Sequence, residues 1–271
     1  MWRSRQAERP VAQQPAAEQP APERPVARDD YRTERLEVLR ELVRLDRDEG
    51  LEVGAFDFPT VQPDVGRCEI ADSRTSEELS RLFSVPLENV APVKWLLERG
   101  RPLAEQIPRR FDYVILCHVL EHVPEPIRFL NEIGALLRPG GIALLAVPDK
   151  RRTADASRPS TTIDHLLERH YHGATEPPLA QIMEFARAWN DDLRKTAAEE
   201  PHEFYAWAVR QVESGHADVH CNVWQDTELF AQLDLLVQGG FLPGLEVCAR
   251  KQNAGGFNEF YVALRRSAAG V

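Results

Sequence analysis

Two short runs of the sequence concentrate side chains that could act as bases. The first is HVLEH at residues 118–122 and the second is HADVH at residues 216–220, with Asp149 between them in a VPDK run. Histidine has a reference pKa of about 6.5, so it suits removal of a proton from a hydroxyl nucleophile near neutral pH. We therefore take His118, Asp149 and His220 as candidate catalytic residues, with the two histidines left unranked.

The same two runs contain residue types that bind metal ions, histidine and acidic residues. HVLEH matches the H-x-x-E-H order of an inverted zinc-protease motif, but that motif needs a long helix, and Pro124 and Pro126 follow at once. His216, Asp218 and His220 alternate, and an extended segment would present them on one side, where they could hold a divalent ion. A polar strand that hydrogen-bonds substrate explains the same spacing. We expect no bound metal and leave the second run open.

Residues 111–150 form the segment that must position the first two candidate bases. Residues 113–117 and 142–147 are apolar runs of the kind that parallel strands show when both faces are buried. Between them, Pro126 marks the start of a helix. A strand–helix–strand unit of this kind belongs to an α/β sheet with a right-handed crossover, whose ligands bind at the carboxyl ends of the strands. The candidate bases should therefore lie at the rim of a site.

Two earlier strands are predicted at residues 51–55 and 68–71. Gly54 closes the first and would let the backbone approach a ligand closely, and Asp72 ends the second. In nucleoside-binding α/β folds, an acid about 20 residues after the glycine accepts hydrogen bonds from ribose hydroxyls. Thr75 and Glu78 then form a capping box that starts a helix.

The remaining elements are predicted from apolar periodicity. A helix at residues 31–46 should pack against the edge of the sheet, and a third strand is expected at 92–99. Three helices should follow residue 160, starting near residues 162, 178 and 203. A helix at 225–239 and two strands at 245–250 and 258–265 complete the chain, the strands as an antiparallel hairpin.

Composition bounds the class of protein. The chain has 271 residues, of which 43% are hydrophobic, and a formal net charge of −10. This charge disfavours binding along a nucleic-acid backbone and leaves small molecules or proteins as the favoured partners. The four cysteines show no CxxC pair and are expected to be free thiols in a reducing compartment. Without a long apolar run or a secretory leader, we expect a cytoplasmic protein that does not contact membrane. The oligomeric state stays open.

The chain divides into two parts. Residues 1–29 are rich in Pro, Ala, Gln, Glu and Arg and have almost no large apolar side chains, so we expect a disordered tail. Residues 30–271 form the folded domain. Within it, residues 148–222 are expected to be a helical insertion or lid over the rim of the sheet.

The segment FDYVILCHVLEHVPEPIRFLNEIGALLRPGGIALLAVPDK resembles the class I S-adenosylmethionine-dependent methyltransferases of the broad type 11 group. The resemblance extends over about residues 49–266 and covers the order FDxV, a VLEHV turn, LLRPGG and a final apolar strand. It implies a Rossmann-like α/β fold with a seven-stranded, mostly parallel sheet and a C-terminal antiparallel hairpin. LEVGA resembles the first cofactor motif, although residues 56–59 replace the family's second and third glycines.

The resemblance also implies a cofactor, S-adenosyl-L-methionine, and residues that contact it. Those residues are Glu52, Gly54, Ala55, Asp72, Glu98, Cys117 and His118. Glu52 and Gly54 would lie along the amino-acid and ribose portions, Asp72 at the ribose diol, and Glu98 near adenine. Cys117 and His118 would border the sulfonium, and His122 would have a structural role in its turn.

These features together predict methyl transfer to an oxygen or nitrogen of a small molecule, with a sugar or glycan precursor as one candidate acceptor. The replaced glycines keep open a second hypothesis, a methyltransferase-like binding or scaffold protein without activity. A Rossmann oxidoreductase is disfavoured because no GxGxxG opens the first helix.

Overall fold

One mixed sheet organises the molecule. The computed structural model describes residues 26–215, 218–254 and 256–268. The strands are β1 Glu49–Val53, β2 Arg67–Asp72, β3 Val93–Leu96, β4 Phe111–Cys117, β5 Leu137–Pro148, β6 Leu245–Lys251 and β7 Glu259–Arg266. Their order is β3-β2-β1-β4-β5-β7-β6, and β1 to β5 run parallel. β7 is antiparallel to both β5 and β6, which confirms the expected seven-stranded sheet with a C-terminal hairpin.

The strand order reverses direction between β1 and β4. From β1 the chain first builds outward through β2 to β3 and then crosses back to add β4 on the other side. In open α/β sheets, the loops diverge at such a switch point and leave a crevice at the carboxyl ends of the two strands. Gly54 and His118 follow these two strands directly.

Helices cover both faces of the sheet. They are α1 Arg28–Arg40, α2 Ser76–Phe83, α3 Leu103–Gln106, α4 Pro126–Leu136, α5 Ile163–His172, α6 Leu179–Trp189, α7 Asp191–Glu199, α8 Pro201–Ser214 and α9 Asp226–Gln238. The predicted capping box is present at α2, where Thr75 Oγ1 accepts from the Glu78 N–H and the Glu78 carboxylate accepts from the Thr75 N–H. α4 begins at Pro126, as predicted. No helix in the described ranges is long and apolar enough to cross a membrane.

The core has two layers because successive side chains of a strand point to opposite faces. In β4, Tyr113 and Ile115 join the cluster beneath α1, while Val114 and Leu116 join the cluster beneath α4 and α9. Burial on both sides explains why β4 is an almost uninterrupted apolar run. The sheet that positions the site is thus held by apolar contacts on each face.

Three predicted elements differ from the structure. α1 begins at Arg28, inside the expected tail, ends at Arg40, and packs on a face of the sheet, because its apolar side chains contact β4, β5 and β7. Residues 1–25 of that tail lie outside the described residues. β3 is shorter than predicted, and β5 starts earlier, because pairing with β4 begins at Leu137.

In its described residues, the region between β5 and α9 holds four α-helices where three helices were predicted. Asn190 divides the second predicted helix, because its side-chain oxygen accepts from the Leu193 N–H at 3.0 Å and caps α7. α6 and α8 share a small apolar cluster with the segment before α9. The expected helical insertion after the fifth strand is therefore confirmed.

Candidate functional site

A cavity of about 520 Å³ opens at the carboxyl ends of β1, β2, β3 and β4. Four predicted site residues line it: Gly54 after β1, Asp72 at the end of β2, Glu98 after β3 and His118 after β4. Parallel strands end at the same edge of a sheet, so residues distant in sequence meet there. The structure thus brings these four residues to one cleft.

Gly54 occupies a position that glycine suits best. Its φ is +73°, its N–H donates to the Ala71 oxygen at 2.9 Å, and a Cβ built there would lie 3.2 Å from Val119 Cγ2. A side chain would meet both backbone strain and crowding. Phe56, which replaces a glycine of the motif, also has positive φ, and its ring lies 4.6 Å from that of Phe83 on the cavity wall.

Asp72 and Glu98 are the two acids of the cavity on the β2–β3 side. Asp72 is only 8% exposed, its Oδ1 accepts from the Arg74 N–H at 3.0 Å, and burial raises the pKa of its carboxyl. Glu98 is exposed and paired with Arg101 at 3.0 Å. The Asp72 carboxylate is therefore the better placed of the two to bind a hydroxyl pair away from bulk water.

A second cavity of about 350 Å³ lies on the other side of Gly54 and His118, which line both cavities. It is lined by the remaining motif residues, Glu52, Ala55 and Cys117. The two cavities meet at the ends of β1 and β4. All seven residues of the predicted cofactor set thus surround one bent cleft.

Glu52 fastens the loop that follows β1. Its fully buried carboxylate accepts from the Thr60 N–H at 2.8 Å and from Thr60 Oγ1 at 2.8 Å, and burial raises its pKa. Cys117 Sγ lies 3.5 Å from the same hydroxyl. Burial raises the pKa of the Cys117 thiol to about 12, so the group stays neutral and unreactive at neutral pH.

His118 is held in an unusual conformation by a buried acid. Its φ is +53°, and its Nε2 lies 2.8 Å from Glu259 Oε2. Arg35 donates to both oxygens of Glu259 at 2.9 and 2.6 Å, and Tyr261 donates at 2.6 Å. Although burial acts to raise it, the hydrogen bonds from His118 and Arg35 lower the pKa of Glu259 to about 2. Such strained, over-determined backbone is typical of functional positions.

Asp149 lies outside both cavities. Its carboxylate accepts from the Arg151 N–H at 3.0 Å, from Arg151 Nε at 2.9 Å and from Asn253 Nδ2 at 3.1 Å. It caps the short turn after β5 and, despite its burial, has a lowered pKa because Arg151 donates to it. The structure gives this predicted base a structural position.

His220 also lines neither cavity, but it lies behind one. Its Nδ1 is 2.6 Å from Asp155 Oδ2, and its ring lies 4.8 Å from that of His122, which does line the larger cavity. Trp189 packs edge-on against it at 5.1 Å. The structure therefore separates the two candidate histidines: His118 faces the cleft and His220 supports its wall.

Sequence reasoning gave too little weight to His122 and Asp218. Both line the larger cavity, and His122 Nδ1 lies 2.9 Å from Asp218 Oδ1. The contact is short, although its alignment falls below that of an ideal hydrogen bond. Burial acts to lower the pKa of His122, but Asp218 and Glu121 raise it overall. The sequence singled out the two runs, residues 118–122 and 216–220, but did not predict that they contact each other. His216 lies outside the described residues.

Comparisons with known proteins agree with this geometry. A family model described as a methyltransferase domain matches residues 34–232. Among curated proteins, a ubiquinone biosynthesis O-methyltransferase of Xanthomonas campestris pv. campestris is 33% identical over 79 residues, which cover 29% of this chain and 32% of that protein. Its counterpart in Proteus mirabilis is 31% identical over 77 residues, or 28% and 31% of the two chains. The match thus spans about a third of the length of these relatives.

Solved structures of two other proteins superpose on much of the chain. A S-adenosylmethionine-dependent methyltransferase from Clostridium acetobutylicum superposes with a TM-score of 0.49 at 9% identity, over 89% of this chain and 93% of that one. A possible histamine N-methyltransferase from Thermotoga maritima superposes with a TM-score of 0.42 at 13% identity, over 89% and 91%.

Proposed function

Since the chain belongs to the methyltransferase domain family, we propose that it is an S-adenosylmethionine-dependent methyltransferase that methylates a hydroxyl oxygen of a small molecule. The named relatives are O-methyltransferases, which supports oxygen as the acceptor atom. Because the match covers about a third of those proteins, the proposal takes from them the acceptor atom and not the substrate. Nothing in the cleft favours a sugar or glycan precursor over other hydroxyl compounds.

The residues around the bent cleft fit the cofactor. Gly54 leaves room where a side chain would crowd Val119, and the buried Asp72 carboxylate offers an acceptor for a ribose diol. We assign Glu98 to the adenine end and the smaller cavity, with Glu52, Ala55 and Cys117, to the amino-acid end. When bound, S-adenosylmethionine supplies a methyl group activated by its positive sulfur. The meeting of the two cavities at Gly54 and His118 is the observation that carries this assignment.

His118 is the base that the geometry supports best. The low pKa keeps Glu259 ionised, so its oxygen accepts and His118 Nε2 must donate, which leaves Nδ1 as a proton acceptor. This carboxylate–histidine arrangement fixes the tautomer and stabilises the imidazolium that forms on proton uptake. We propose that His118 Nδ1 accepts the hydroxyl proton of the acceptor. Asp149 and His220 are not assigned this role, since neither lines a cavity.

The helical insertion is proposed to act as a lid that selects the acceptor. Ala174, Thr175 and Asp218 from this region line the larger cavity. Arg99, after β3, bonds to Glu176 at 2.8 Å and to the Gly215 oxygen at 2.6 Å, which ties the insertion to the mouth of the cleft. These partly exposed contacts can open without disturbing the sheet.

The proposed function is tested first by calorimetry with S-adenosylmethionine, then by transfer of a radiolabelled methyl group to matched phenolic, sugar and amine acceptors. We expect binding and methylation of a hydroxyl compound. Transfer to amines alone would overturn the oxygen assignment, and binding without transfer to any acceptor would favour the scaffold hypothesis.

Asp72→Ala tests the cofactor assignment. Hydrogen bonds to a charged acceptor contribute about 1–3 kcal/mol, so cofactor affinity should fall by roughly 5- to 150-fold. Because burial raises the pKa of Asp72, the variant should be no less stable than the wild type at neutral pH. The exposed Asp64→Ala is the control. Unchanged affinity in a folded Asp72→Ala protein excludes the ribose role.

A further inference from the structure

Glu121 is a buried carboxylate without a hydrogen-bond partner. The residue is 0% exposed, and neither Oε1 nor Oε2 has a partner among the described residues. Its closest ion-pair contacts there are histidine nitrogens, His118 Nδ1 at 3.6 Å and His122 Nε2 at 3.9 Å, both too long for hydrogen bonds. A buried carboxylate that accepts no hydrogen bond is costly, so this position favours a cation bound closer than the two imidazoles lie.

Two histidines beside Glu121 are arranged as metal ligands usually are. His122 Nδ1 lies 2.9 Å from Asp218 Oδ1, and His220 Nδ1 lies 2.6 Å from Asp155 Oδ2. A carboxylate at one ring nitrogen fixes the tautomer and orients the other nitrogen toward a cation. In both rings, Nε2 is the nitrogen left over.

Asp155 is itself firmly held, so the orientation of His220 is not accidental. Arg158 donates to Asp155 Oδ1 at 2.7 Å, and Trp189 Nε1 donates to the same oxygen at 2.9 Å. Arg158 Nη2 also donates to the backbone oxygen of His220 at 2.9 Å. The His220 ring, the His220 backbone and the Asp155 carboxylate therefore hold one another in place.

We infer that Glu121, His122 and His220 bind one divalent transition-metal cation in the wall of the larger cavity. One ligand atom from each residue can be chosen so that all three lie within 4.8 Å of one another. Metal bonds of about 2.1 Å place neighbouring ligand atoms roughly 3–4 Å apart, so binding draws the group together by roughly 1 Å. Side-chain rotation supplies that movement.

The donor set favours a particular class of cation. Two neutral imidazoles and one carboxylate suit Zn²⁺, Fe²⁺, Co²⁺ or Mn²⁺, whereas Mg²⁺ prefers oxygen ligands and retains its waters. Three protein ligands leave coordination positions open. Since His122 also lines the cavity, an open position would face the acceptor, where a cation lowers the pKa of a bound hydroxyl. This last role rests on the proposed function; the binding of the cation does not.

The test uses the full chain, treated with a chelator and then titrated calorimetrically with Zn²⁺, Mn²⁺ or Mg²⁺ alone, without cofactor or acceptor. We expect saturable uptake of one Zn²⁺ per chain, weaker binding of Mn²⁺ and still weaker binding of Mg²⁺. Glu121→Gln and His220→Gln should each weaken Zn²⁺ binding at least 100-fold. Asp155→Asn should weaken it by roughly 10- to 100-fold through its effect on His220.

Thermal unfolding gives an independent readout. Zn²⁺ should raise the Tm of the wild type and of His172→Gln, whose histidine is exposed on α5, but not that of Glu121→Gln. Without metal, Glu121→Gln should unfold no earlier than the wild type, because it replaces a buried carboxylate that accepts no hydrogen bond among the described residues. No saturable Zn²⁺ or Mn²⁺ uptake by the wild type, or equal uptake by the three ligand and support variants, overturns the site whatever the outcome of the methylation assays.

Discussion

The sheet and the helical insertion reach the cleft by different means. The sheet contributes Gly54, Asp72 and His118 at strand ends, whose places are set by backbone pairing over a large apolar core. The insertion has a small cluster of its own; Asn222 at its end is bonded to the backbone of Leu120 and Val123, whereas at the mouth of the cleft it is held by side-chain ion pairs such as Arg99–Glu176. Apolar burial on both faces fixes position, whereas exposed ion pairs contribute little energy and can be exchanged. We therefore expect the sheet side to be rigid and the insertion side adjustable.

Replacing the sheet-held base should have the largest effect. His118→Asn keeps a residue that tolerates positive φ but removes the base, so turnover should fall by roughly 10²–10⁴-fold, well beyond any loss of cofactor affinity. Steady-state rates and calorimetry measure the two quantities. His172→Asn in the insertion is the control. Turnover within a few-fold of the wild type would remove His118 from the mechanism.

Glu259, the buried acid bonded to His118, should make the stability of the fold depend on pH. Its folded pKa of about 2 lies below the ordinary 4.5, so Glu259 stabilises the native state above about pH 4.5 and loses that contribution as pH falls toward 2. The difference corresponds to roughly 3 kcal/mol. Glu259→Gln should therefore be less stable at pH 7, by roughly 3–5 kcal/mol because Arg35 stays buried without its partner, and should approach the wild type in acid.

Urea unfolding at several pH values between 7 and 2.5 measures this effect. Glu246→Gln, which removes an exposed acid on β6, should shift stability by less than about 0.5 kcal/mol at every pH. A constant stability difference between Glu259→Gln and the wild type across this range would contradict the low pKa of Glu259.

A matched pair of glycines sharpens the comparison between the two regions. Gly54→Ala and Gly173→Ala both force alanine to positive φ, at a cost of about 1–2 kcal/mol each. Only Gly54 also crowds a neighbour, since a Cβ at Gly173 meets nothing within 4 Å. Both variants should lose stability in urea, but Gly54→Ala alone should lose cofactor affinity. Equal affinities would show that close approach at Gly54 is not needed.

The smallest effect is expected at the mouth of the cleft. Glu176→Gln breaks the partly exposed pair with Arg99, so stability should change by less than about 0.5 kcal/mol. If the insertion is an adjustable lid, the KM of the acceptor should rise a few-fold while cofactor affinity stays constant. A change in cofactor affinity instead would show that the Arg99–Glu176 contact helps to hold the cofactor site and is not part of an adjustable lid.

The two regions also differ in how far the sequence predicts them. Gly54 follows a short strand, and Asp72 and Cys117 are the last residues of two others, so local pattern and the known geometry of parallel sheets are enough to place them at one edge. The partner of His118 lies in β7, and that of His122 lies near the C-terminal end of the helical insertion. Such contacts depend on how distant segments pack, which periodicity does not encode. The position of Asp149 outside both cavities has the same origin, since Arg151 and Asn253 donate hydrogen bonds to its carboxylate.

The indole of Trp189 is a fluorophore that lies next to the cleft wall. Its N–H is bonded to Asp155, and its ring contacts that of His220 at 5.1 Å. Any event that charges or displaces this imidazole alters the surroundings of the indole, so the Trp189 contribution to the fluorescence of the five tryptophans reports on the cleft wall without a label.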